Sequence, residues 1–347
     1  MKKLFSSIAT LAIMTLLAFP APALAADEGS VDGQFGVNSP PTVDSVSLTE
    51  TGMIPQQTYT VSVQVSDADS INDLSSVVLK LWYDSDGGTP TVMDFNGAAA
   101  DAQNCAVITW TADDPGGTTY TGSAALEPEP TSWELGAGTL PNGSGDFNAT
   151  TFNFQLTFTV GKVATETGGG HGWGHGHNHS KWQIMAKATD SFGQNGYNYD
   201  AESSDMNWYG EINVPSALVD WGELVPGINF TDPGSEQPLG VAVTYLSNGD
   251  YQEKVKSSAV WGGTSHDANL DASGHCNNPQ EFALKANDGG YAESVLIDTN
   301  GVTIDDSGSQ TDESGIQEND NNFWLRMADS FADDVYQGTI TFIIANG

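Results

Sequence analysis

Three small groups of residues have types and spacings suited to chemistry. The first is the run Asp67-Ala68-Asp69-Ser70-Ile71-Asn72-Asp73, which gathers Asp67, Asp69, Asn72 and Asp73 on one short stretch. Calcium takes about six to eight oxygen ligands in a flexible geometry. This stretch supplies three or four, and Asp190 with a backbone carbonyl adds more. The spacing is not that of an EF-hand, which needs Gly at the sixth position and Glu at the twelfth. The same residues also read as a solvated acidic turn, and both readings stand. The second group is GGGHGWGHGHNHSK over 168–181, with His171, His175, His177 and His179. Extended backbone puts His175, His177 and His179 on one face. Neutral imidazole suits zinc, copper or nickel. An exposed glycine-rich connection is the alternative, and its ordering on a metal has an entropic cost. The third group is the pair Cys105 and Cys276. An exported chain can oxidise two cysteines to a disulfide. Two free thiols, or pairing between subunits, are the other outcomes.

Composition restricts the function classes. The chain has 347 residues, with Lys+Arg 10 against Asp+Glu 45 and a formal charge of -35. Phosphate binding needs a cationic surface, so nucleic acid and anionic lipid are poor partners. Hydrophobic residues at 38% and nine Trp argue for packed cores rather than an acidic tail. Lys2 and Lys3, the apolar run from Leu4 to Phe19 and Ala23-Leu24-Ala25 have the pattern of a cleaved secretory signal. The apolar run stops at Pro20, short of the roughly 20 residues a spanning helix needs. The expected product is a secreted chain starting near Ala26, with no membrane insertion after cleavage. G-x-S-x-G, H-E-x-x-H, P-loop and C-x-x-C motifs do not occur. Carboxylates are too abundant for one pair to be chosen as an acid/base couple. The chain therefore reads as a non-enzyme, and an extracellular hydrolase would need a catalytic pocket that no motif announces. Trp82, Trp133, Trp173 and Tyr209 are candidate sugar-stacking aromatics, although Trp in such a chain is commonly core. Sequons at Asn142, Asn148, Asn178 and Asn229 are weak glycan signals.

The elements that would position these groups are strands. Tyr59, Val61, Val63 and Val65 alternate with Thr60, Ser62 and Gln64, the period of a strand with one buried face. Val77, Leu79, Leu81 and Tyr83 continue the pattern after the acidic run. Phe152, Phe154, Leu156, Phe158 and Val160 form the clearest alternation in the chain, and 181–188 is a further strand. Thr42–Leu48 and Ala106–Thr111 complete the first set. Asp84-Ser85-Asp86-Gly87-Gly88 is a turn. The segment 112–150 reads as a long irregular excursion with short strands near Tyr120 and Trp133. Beyond a linker at 201–216, short strands are expected near 218–221, 241–245, 255–261, 282–286, 295–297, 323–327 and 337–344. The expected division is a signal peptide at 1–25, a flexible leader or exchangeable strand at 26–41, a sandwich at 42–200 and a second sandwich at 217–347. The acidic run 305–313 reads as a solvated loop.

PPTVDSVSLTE, VSVQVSDADSINDLSSVVLKLWYD and AKATDSFGQNG together resemble the Ig-like or cadherin-like modules of bacterial and archaeal cell-surface proteins, over residues 40–200. The resemblance implies an Ig-like β-sandwich, an extracellular location, and calcium at Asp67, Asp69, Asn72, Asp73 and Asp190. Residues 219–227 and 336–342 are similar, more loosely, to strands of secreted β-sandwich repeats. The fold expected is all-β, two β-sandwich domains. The function expected is a secreted cell-surface structural or adhesive protein that assembles into a filament or layer with calcium-stabilised loops. Its partners would be other copies of itself or cell-surface proteins and glycans. The alternative is a secreted carbohydrate- or metal-binding module using the loop aromatics or the His-rich loop.

Overall fold

The computed structural model describes residues 34–117, 121–137, 149–168, 180–215, 218–237 and 240–347. The chain divides into two units, Met1–Asn38 and Ser39–Gly347. Residues 34–38 of the first unit carry no regular secondary structure, and Phe35 and Val37 are exposed. The second unit is all-β and holds two lobes.

The first lobe contains β1 (Thr42–Leu48), β2 (Gly52–Met53), β3 (Thr58–Ser66), β4 (Leu74–Asp84), β5 (Cys105–Ala112), β6 (Gly122–Glu127), β7 (Glu134–Leu135), β8 (Thr151–Thr159), β9 (Lys181–Asp190), β10 (Asn195–Tyr199) and β11 (Asp205–Met206). One sheet has the order β1-β3-β8-β7 and the other β10-β9-β4-β5-β6. The alternating residues face inward as the period-2 pattern requires. Val61, Val63, Phe154, Leu156 and Phe158 of one sheet meet Val77, Leu79, Leu81, Ile108 and Ile184 of the other, all fully buried. Each such side chain contributes about 1.5–3 kcal/mol by leaving water. Among the described residues one short α-helix, α1 (Val92–Gly97), interrupts the strands. Thr91 caps it with a reciprocal Thr91/Asp94 capping box, and Phe95 covers the outer face of the second sheet beside Trp82 and Met185.

The second lobe contains β12 (Gly210–Asn213), β13 (Val241–Ser247), β14 (Tyr251–Ser257), β15 (Val260–Gly262), β16 (Asp267–Leu270), β17 (Glu281–Asn287), β18 (Val295–Leu296), β19 (Val302–Gly308), β20 (Ile316–Met327) and β21 (Ile340–Asn346). Its larger sheet runs β12-β13-β20-β17-β16-β15, with β18 on β17, and its smaller sheet runs β19-β14-β21. Val243, Tyr245, Phe282, Leu284 and Phe323 face Val255, Ile304 and Phe342 across a second core. The strand expected at 218–221 is absent: those residues carry no strand, and Leu218 is exposed. The acidic run at 305–313 is strand as far as Gly308, the end of β19.

The segment read as a linker is built into both lobes. β11 pairs in parallel with β2, and β12 pairs with β13. Polar contacts tie the junction. Asn248, fully buried, donates from Nδ2 to Ala164 O and Asn207 O, both at 2.9 Å. Its Oδ1 accepts Tyr209 N–H at 2.7 Å. Gln103 donates to Thr311 O, Gln310 to Val163 O, and Ser132 to Glu313. Lys162 pairs with Glu211 at 2.9 Å.

Candidate cation-binding loop

The acidic run leaves β3 and enters β4 at the end of the first lobe away from the junction. Asp67 N–H donates to Thr150 O and Ile71 N–H to Ala149 O, so the loop is tied to the strand entry of β8. Ile71 is buried and anchors it to the core. Ser70 caps a short turn over Ile71–Asp73 by accepting Asn72 N–H at 3.1 Å. Two further segments close around it. Gly116 N–H donates to Asn72 O, and Ser191 N–H to Asp73 O. Asp190 follows from register, opposite Leu74 in the β4–β9 pairing. The five oxygen-bearing residues singled out in the sequence therefore share one end of one lobe.

They do not all point at one place. Asp69 accepts Ser39 N–H at 2.5 Å, and Asp73 accepts the Ser191 hydroxyl. Asp190 Oδ1 holds its own turn, accepting Phe192 N–H at 2.9 Å and Gln194 N–H at 2.7 Å. Among the described residues no three His, Cys, Asp or Glu side chains converge to hold a metal. Two atoms stand apart. Asp67 is 1% exposed and its Oδ2 accepts nothing, while Oδ1 accepts Asp69 N–H at 2.9 Å. Asn72 Oδ1 is likewise buried without a partner, its amide nitrogen being held by Gly117 O. Two unpartnered buried oxygens on one loop are costly unless a cation or a proton meets them. Burial pushes the Asp67 carboxyl above its ordinary value, against the N–H groups of Asp69 and Ser70, and the charges of Asp73 and Asp69 add to the rise. The adjoining turn, Asp113 to Gly117, falls within the irregular excursion expected over 112–150, and its Asp-Asp-Pro-Gly-Gly composition is the sequence signal for it.

The other sequence candidates have different fates. His171, His175, His177 and His179 lie outside the described residues, as do Trp173, Asn142, Asn148 and Asn178. The Cys105–Cys276 bridge is not formed. Both thiols are free, Cys105 among Trp82, Phe95 and Met185, and Cys276 among Phe230, Ala283 and Trp324. Burial pushes each up to about 11. Trp82 and Trp133 are buried, at 8% and 2% exposure, so neither is placed to stack a sugar. Tyr209 bonds Glu211. Asn229 is exposed with its amide on Asp232. An open depression at the junction is lined by Asp101, Gln103, Asp312 and Glu313. There the Ser314 hydroxyl and N–H hold Asp312 below the ordinary carboxylate range, the opposite of what a general acid needs. No family model and no curated protein matches the chain.

Proposed function

We propose that the chain is a secreted structural or adhesive protein of the cell surface, which assembles into a filament or layer and is stiffened by calcium at the Asp67–Asp73 loop. The observation that carries this reading is the junction. Two sandwich lobes separated by a true linker would swing, whereas here a strand from the connecting segment enters each lobe and buried Asn248 bonds both. A unit of this kind transmits position and force from one end to the other. The likeness of the first lobe to cell-surface Ig-like modules and the unpartnered Asp67 and Asn72 oxygens support the same reading. Negative-stain electron microscopy of residues 26–347 tests it. Extended polymers or sheets are expected in calcium, fewer in EDTA, and fewer in Asp67→Asn. Isolated particles under every condition would contradict it.

A further inference from the structure

Basic side chains are scarce in this protein, and most of those described are committed. Lys80 is held by Phe95 O and Ala98 O, Lys162 by Glu211, Lys181 by Asp205, and Arg326 by Gly274 O. Lys285 lies over the rings of Phe230 and Tyr291. Lys187, Lys254 and Lys256 have no such partner among the described residues, and the last two lie together on one strand. On β14 the residues Tyr251, Glu253, Val255 and Ser257 face inward, so Lys254 and Lys256 share the outer face. Their cross-strand neighbours are Ile343 and Thr341 of β21, and Thr303 of β19 stands beside Lys254. Neither lysine has a carboxylate within ion-pair distance among the described residues.

The surface continues into a depression of about 280 Å³ lined by Lys256, Ser258, Ala259, Thr299, Thr339 and Thr341, with no acidic residue in its wall. Asp298, next along the chain, is engaged in its own turn, accepting the N–H groups of Asn300 and Gly301. One ammonium and several hydroxyls are donors for a carboxylate. The position is informative too. β14 starts at the junction, where Asp250 O receives Trp208 Nε1–H and Gly347 N–H. It ends at Ser257, beside Asp298 and far along the strand from the junction. In the first lobe β3 starts near the junction, just after the Gln56–Val160 hydrogen bond, and ends just before Asp67. The basic face and the acidic end thus lie away from the junction in opposite lobes.

We propose that the Lys254–Lys256 face and its hydroxyl-lined depression receive the acidic first-lobe end of a second copy, through Asp69, Asp73, Asp113 and Asp114, so that copies join head to tail. This rests on the assembly reading and names its interface. A heterologous contact that does not close on itself generates an open chain. A copy with a formal charge of -35 repels its neighbours, but the Debye length is about 8 Å at physiological ionic strength. Remote charges are then screened, and a contact at a few ångströms still acts.

The test mixes light and isotope-heavy chains in calcium at physiological ionic strength and treats them with a carbodiimide, which joins a lysine amine to a carboxylate in contact with it. Light–heavy peptides linking Lys254 or Lys256 to 69–73 or 113–114 are expected. In sedimentation, the double variant Lys254→Glu/Lys256→Glu should associate at least tenfold more weakly with its melting unchanged. Lys187→Glu, on the outer face of β9, should associate like wild type. If wild type and the double variant assemble alike, this interface is wrong and the assembly reading survives. If wild type stays monomeric, both fall. If no interchain link forms while the double variant loses retention on a sulfated polysaccharide, the face takes an anionic glycan and the proposal is overturned.

Discussion

Asp334 shows how carboxylates are used in this protein. Its side chain accepts the N–H groups of Thr264, Ser265 and His266, closing the turn between β15 and β16. The same use recurs as an Asx turn, a carboxylate accepting the N–H two residues on, at Asp84, Asp101, Asp200, Asp271, Asp298 and Asp312. Much of the acid that looked in the sequence like an ion-binding surface is internal fastening of loops. These backbone donors hold Asp334 well below the ordinary range, and Asp298 below it too. A depressed folded value means stability that is present above the unfolded value, about 3.9, and lost as pH falls through the folded value. Melting temperature should therefore fall from about pH 4 downward. Asp334→Asn should melt lower at pH 7 and show a shallower acid fall, read by circular dichroism. Asp67 has the opposite sign: its raised value favours the folded state at low pH and opposes it as pH rises. What the sequence could not disclose is which acids are fastened, because that depends on backbone N–H directions set by the turns.

Strand periodicity was readable wherever one face is buried. Thr42–Leu48 and the alternations of β3, β4, β8 and β9 correspond to what the residues announced, since each has a hydrophobic face on a shared core. Elements without that contrast were missed. β16 is Asp-Ala-Asn-Leu, β19 ends in Asp-Asp-Ser-Gly, and β10 alternates polar residues with two half-buried tyrosines. The 218–221 stretch failed the other way: Leu218 is exposed, and Val219 and Trp221 line the second core from a loop rather than from a sheet, with Trp221 tilted against Trp261. Trp261 also explains a glycine. Gly338 lies against it so closely that an added Cβ would sit 2.0 Å from the indole Cδ1. Gly338→Ala should cost about 1–3 kcal/mol through overpacking, measurable by urea unfolding. A loss near zero would mean that the ring moves freely.

At the scale of the whole molecule, the all-β class and the two cores were legible in the hydrophobic pattern, whereas the junction was not. Its bonds come from Asn248, Gln103, Gln310 and Ser132, polar residues in segments that read as turns. No periodicity announces a buried amide whose partners lie 41 and 84 positions away in the chain. On the proposed reading these bonds make the two lobes one unit, and a cation at the Asp67–Asp73 loop stiffens it. Scanning calorimetry of residues 26–347 in EDTA and in excess calcium tests it most directly. Calcium at about 100 times its dissociation constant adds about 2.7 kcal/mol. Removing a buried amide that serves three partners costs about 3 kcal/mol. One transition is expected in EDTA, the same single transition a few degrees higher in calcium, and a lowered or divided transition in Asn248→Ala. Two independent transitions in the wild-type protein, or a melting temperature indifferent to calcium, would contradict it.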